Sequence, residues 1–173
     1  MSKDTIEFTP QATANNKQQK FKIKSIKRVK DSLNNEKDIA ILKTHKKMNL
    51  KHYANLPNKE ETQKLKKGAA IQSIGYPYNS KQLNQPYLSK GHLTYIEEPK
   101  YSTNIYPEIN FSLTTREGQS DAPIISKDNK VIGLIKSSFN SSGQSKTKIQ
   151  KAEIASGQAF DYKTLEWINN NNK

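Results

Sequence analysis

A serine hydroxyl works as a nucleophile when a tight turn exposes it and sets backbone N–H groups where negative charge gathers on the attacked carbonyl. Gly118-Gln119-Ser120 offers that arrangement, because a glycine two residues ahead of the serine permits the turn. The pair alone is weak, since the chain is rich in serine and most serines are surface or turn residues. Its surroundings, Thr114-Thr115-Arg116-Glu117-Gly118-Gln119-Ser120-Asp121-Ala122-Pro123 followed by Ile124-Ile125, are much more specific. Serine chemistry also needs a general base and a carboxylate that orients it. Asp38, just ahead of the apolar run Ile39–Leu42, carries a carboxylate, although taken singly it reads as an exposed turn residue at a strand start. His45, on the loop leaving the same strand, His52 in a Lys-rich loop, and His92 within a later strand read as ordinary surface or core histidines rather than as bases. Without cysteine there are no disulfide staples, thiolate metal sites or cysteine nucleophile. Nothing in these motifs calls for a cofactor or a metal.

The elements that must hold these groups are strands. Ile6 and Phe8, then Phe21, Ile23, Ile26 and Val29 among lysines, follow a period of two, as half-buried or edge strands do. Ile39–Leu42, Ile71–Gly75, Ile124–Ile125 and Val131–Ile135 are short, largely apolar and bounded by turn residues, which predicts buried strands. Further strands are expected at Tyr87–Ile96, Ile109–Thr114 and Glu153–Phe160, with a turn at Lys127–Lys130. Only two helices are expected, a short polar one around Lys59–Leu65 and one from about Tyr162 to Asn169, with Asp161 as N-cap and Leu165 and Ile168 facing inward. Many short strands with one terminal helix predict an antiparallel all-β barrel.

Composition bounds the rest. The 173 residues suit one domain or two small ones, and an apolar share of 32% leaves only a lean core. No apolar run approaches the roughly 18 residues of a membrane span, and Met1–Pro10 lacks the pattern of a secretory signal. There are 29 Lys and Arg against 16 Asp and Glu, a net charge of +13, yet only Arg28 and Arg116 are arginines. Arg forks make bidentate base and phosphate contacts, so lysines spread along the chain read first as a solvated surface, with any attraction to anionic polymers unspecific and no sequence-reading nucleic-acid partner.

The motif order DIAIL (Asp38–Leu42), IGYP (Ile74–Pro77), SKGHLTYI (Ser89–Ile96), LTTREGQSDAPI (Leu113–Ile124) and KVIGLI (Lys130–Ile135) resembles the trypsin-like serine proteases of the chymotrypsin fold, in particular the bacterial glutamyl endopeptidase and exfoliative toxin branch. The resemblance runs from about Ile6 through the terminal helix. It implies two antiparallel β-barrels with the catalytic groups between them, a C-terminal α-helix, peptide or protein substrates and a secreted, extracellular protein. It assigns Ser120 as nucleophile, the N–H groups of Gly118 and Ser120 as oxyanion hole, Asp38 as the triad aspartate, and Thr115 to the specificity pocket.

Three departures accompany these matches. No Thr-x-x-His segment precedes Asp38, so the resemblance implies a truncated first barrel over residues 1–66, including the linker, and a complete second barrel with the helix over residues 67–173. Asp121 stands where the family pattern Gly-x-Ser-Gly-x-Pro has glycine, straining the turn if its φ is positive and setting a carboxylate beside the oxyanion. Ile135 stands where glutamyl endopeptidases have a pocket histidine, which removes a charge-assisted donor for an acidic substrate. Two classes of function remain open: a serine endopeptidase that is weak or inactive alone, either with a separate N-terminal fragment supplying the histidine or as a decayed remnant with no partner, or a non-catalytic basic binding module on a protease scaffold. An incomplete first barrel is also expected to expose Ile6, Phe8, Phe21, Ile23 and Ile39–Leu42.

Overall fold

Side chains that alternate across a strand let one sheet face water and core at once, and the period-two segments fold accordingly. The computed structural model describes residues 6–9, 20–30, 36–50, 53–77, 86–96, 108–115, 118–139, 150–151 and 154–172. They form two compact units, one of Met1–Tyr53 with Lys163–Lys173, the other of Ala54–Tyr162.

In the first unit β1 (Glu7–Phe8), β2 (Phe21–Lys30) and β3 (Glu36–Thr44) form an antiparallel sheet in that order. Register sets Ile26 opposite Leu42 and Arg28 opposite Ala40. Lys20 and Glu7, both exposed, form an ion pair at 3.0 Å beside the edge strand. Phe8 and Leu42 are 43% and 44% exposed, but Phe21, Ile23 and Ile39 are buried, so the expected open apolar face is realised only in part. The C-terminal residues Lys163–Lys173 return to this unit, where Leu165 is buried and Lys27 Nζ donates to Asn171 Oδ1 at 3.2 Å.

The second unit opens on α1 (Lys59–Gln63), closed at its start by a capping box in which Asn58 Oδ1 accepts from the Glu61 N–H at 2.8 Å and Glu61 Oε2 from the Asn58 N–H at 2.7 Å. Then come β4 (Ala70–Gly75), β5 (Tyr87–Ile96), β6 (Glu108–Phe111), β7 (Thr114–Thr115), β8 (Pro123–Ser126), β9 (Val131–Phe139), β10 (Gln150–Lys151) and β11 (Ile154–Ala159). Six of them close an antiparallel barrel in the order β11-β6-β5-β4-β8-β9, while β7 and β10 pair with each other. Closure leaves the barrel no free edge. Irregular register at Leu93/Tyr95, Ile124/Ile125 and Ser156/Gly157 supplies the extra coiling that closure needs. Ile71, Leu93, Ile109, Phe111, Ile124 and Ile132 are among the residues of its core. The expected turn joins β8 to β9, with Asn129 at φ +57 and its N–H on the Ser126 carbonyl at 3.0 Å. The last helix, α2 (Tyr162–Asn171), buries Thr164 and Leu165, with Ile168 half-buried. No helix among the described residues is long and apolar enough to cross a membrane.

Candidate active site

The segment between β7 and β8 is built around one turn. Gly118 has φ +90, a conformation that disfavours side chains. The Gln119 carbonyl accepts from the Ala122 N–H at 3.1 Å, closing a four-residue turn with Ser120 and Asp121 at its centre. Asp121 has φ +66 and Ser120 no positive φ, the signature of a type II turn, whose third position favours glycine. The strain expected of a side chain there is therefore present. Two hydrogen bonds to β9 hold it: the Asp121 N–H donates to the Ile135 carbonyl at 2.8 Å, and the Ile135 N–H to the Ala122 carbonyl at 2.9 Å. With its N–H committed to Ile135, Asp121 is not an oxyanion donor.

Along the turn Gln119 and Ala122 are buried, whereas Ser120 and Asp121 are exposed, so the serine is presented outward from a turn anchored on both sides. Gly75, at the end of β4, makes room beneath it. A Cβ at that position would sit 2.9 Å from the Ala122 Cβ and 3.3 Å from the Gln119 Cγ. Neither the burial of Gln119 nor its seat on Gly75 was read from the sequence. The glycine closing the apolar run Ile71–Gly75 was the available signal, because a strand interior gives up a side chain where another chain segment approaches closely.

Thr115, on β7 opposite Gln150, is 1% exposed, and its Oγ1 has no hydrogen-bond partner among the described residues. A buried hydroxyl left in that state costs on the order of 1–3 kcal/mol, which a ligand acceptor would recover. The Ile135 side chain belongs to the barrel core, so this residue serves the turn through its backbone. Asp38 lies on β3 in the first unit and Ser120 in the second. The Asp38 side chain is outside the described set, as are His52, Arg116 and Glu117. His45 follows β3, exposed, with its backbone N–H on the Lys22 carbonyl at 3.0 Å. His92 faces outward from β5 and lines a concavity that does not include Ser120.

A family model described as a trypsin-like peptidase domain matches residues 3–134. No curated protein matches significantly. Among solved structures, a variant of the HtrA-type protease AlgW with a decapeptide superimposes with a TM-score of 0.62 at 14% identity, covering 94% of this chain and 44% of that one. A human heparin binding protein gives a TM-score of 0.63 at 16% identity over 88% of this chain and 66% of its own. A Glu endopeptidase in complex with MPD gives 0.60 at 15% identity over 88% and 64%. At these identities the likeness is one of fold, and this chain spans between 44% and 66% of those three chains.

Proposed function

We propose, since this chain belongs to the trypsin-like peptidase domain family, that it is a serine peptidase domain of the glutamyl endopeptidase and exfoliative toxin branch, secreted, and with little or no activity by itself. The observation that carries this is the anchored turn with Ser120 exposed at its tip and Gly118 in a left-handed conformation. In this reading Ser120 Oγ attacks a peptide carbonyl carbon, a base takes the hydroxyl proton and delivers it to the leaving amine, and water releases the acyl group from Ser120. The N–H groups of Gly118 and Ser120 receive the oxyanion, and Asp38 orients the base. Thr115, with its buried hydroxyl, donates to the substrate side chain, and Ile135, standing where glutamyl endopeptidases have a pocket histidine, adds no charge. The base is a histidine that no Thr-x-x-His segment of this sequence supplies.

A second reading is a binding module that uses the fold without its chemistry. Asp121 favours it, since an exposed carboxylate one residue after Ser120 opposes the growth of negative charge on a nearby oxyanion. The deciding experiment is labelling of the purified chain by a fluorophosphonate, with casein hydrolysis in parallel. The peptidase reading expects slow labelling that Ser120→Ala abolishes, and no measurable casein turnover. Robust turnover lost in Ser120→Ala would show that the chain carries its own base. Absence of any labelling at Ser120 would leave the binding module.

A further inference from the structure

The outer wall of the barrel along β4 and β5 carries two kinds of surface side by side. Ile71, Ser73 and Gly75 of β4 are buried, and Ser89 and Leu93 of β5 are buried, so the intervening residues face outward. Register pairs them across the two strands: Ile74 with Leu88, Gln72 with Lys90, and Ala70 with His92. Ile74 and Leu88 are 46% and 48% exposed, an apolar cross-strand pair standing in water. One step along, Gln72, Lys90, His92 and Lys127 border a concavity of about 400 Å³ that no Asp or Glu among the described residues lines. Among the described residues neither Lys90 nor Lys127 has an ion-pair partner. An exposed apolar patch bordered by charge marks an interaction site, and a one-signed concavity selects the opposite charge.

We propose that this face docks an extended acidic segment of a partner protein, with an apolar side chain resting on Ile74 and Leu88 and carboxylates at alternate positions over Lys90, His92 and Lys127. The spacing supports a peptide in particular. Leu88, Lys90 and His92 succeed one another at every second position, a step of roughly 6.5 Å, and an extended peptide presents its own alternate side chains at that same step. A pattern of Leu-x-Glu-x-Glu therefore matches the wall residue for residue. A sulfated polysaccharide would engage the lysines but leave Leu88 and Ile74 unused, so the apolar half of the patch favours the peptide. The site stands on the outer wall, and its occupancy does not depend on the chemistry of Ser120.

The test is fluorescence anisotropy on the full chain with the peptide acetyl-Leu-Ser-Glu-Ser-Glu-Ser-Lys-amide, carrying fluorescein on its lysine side chain. Saturable binding is expected, weakened about fivefold by Leu88→Ser and by replacing the peptide's leucine with serine, and about tenfold or more by Lys90→Glu with Lys127→Glu. Lys46→Glu with Lys47→Glu, in the other unit, should change it less than about twofold, the margin that separates a local site from general attraction. Replacing the peptide's glutamates with glutamine should abolish binding, and this arm keeps the test sound if a protein variant misfolds. No saturable binding by the wild-type chain would overturn the proposal. So would equal weakening by the Lys46 and Lys47 reversals, or equal affinity for a heparin hexasaccharide that Leu88→Ser leaves untouched.

Discussion

Asp121 holds a conformation that glycine adopts freely and most residues adopt at a cost of about 1–2 kcal/mol, although Asp bears it better than alanine does. Stability at this position should therefore fall in the order Gly, Asp, Ala. Asp121→Ala should lower stability by about 1 kcal/mol, or about 2–4 °C in melting temperature for a chain of this size. Asp121→Gly should leave it unchanged or slightly raised, because relief of strain is offset by the extra freedom of the unfolded chain. Thermal denaturation reads the order, and an alanine variant as stable as glycine would remove the strain. The glycine variant should also be labelled faster by a fluorophosphonate, since the carboxylate no longer faces the developing oxyanion. Gly75→Ala tests the other side of the same turn. Its Cβ would press on Ala122 and Gln119, and a loss of about 1–3 kcal/mol is expected. Denaturant titration measures it, and unchanged stability would mean that the Gln119 side chain is not seated on Gly75.

The barrel strands close on one another, whereas among the described residues the first sheet has β1 and β3 as edges, so protection should differ by element. Amide exchange should be slowest in β4, β5 and β9 and faster through β1. Leu93→Ala, at a core position only 1% exposed, should cost about 2–5 kcal/mol. Uniform protection in both units would contradict this difference. The segments Ile71–Gly75 and Val131–Ile135 were legible as strands because both are short, largely apolar and bounded by turn residues. Tyr87–Ile96 was legible for a different reason, the alternation that sets Ser89 and Leu93 inside and Lys90 and His92 outside. Gln150–Lys151 was not, since a two-residue strand of polar side chains owes its pairing with Thr114–Thr115 to the fold and not to any local pattern. At the site, the Gly118-x-Ser120 turn was readable from glycine chemistry. The clamp from β9 was not, because it uses backbone groups of Ile135 that every residue type possesses.

Charge acts on the molecule as a whole. With +13 carried almost entirely by lysine, retention on heparin or DNA should fall steeply as salt rises and show no preference among sequences, since attraction is screened beyond roughly 8–10 Å at physiological ionic strength. Gradient elution from both supports measures this. Tight binding to one nucleic-acid sequence that survives high salt would require contacts that two arginines do not provide.

The return of Lys163–Lys173 to the unit that also holds Met1–Tyr53 has a consequence for how the molecule comes apart. The barrel unit, Ala54–Tyr162, is an insertion within the other, and the polypeptide passes between the two bodies twice. A protease that cuts at one passage leaves the barrel unit still covalently joined to the other segment of the first unit. Two cuts, near Tyr53 and near Tyr162, are required to release the barrel unit. Limited digestion followed by mass spectrometry should then yield a nicked intermediate before any free fragment of about residues 54–162. Dissociation of residues 1–53 from residues 54–173 after the single cut near Tyr53 would mean that the terminal helix does not belong with the first sheet.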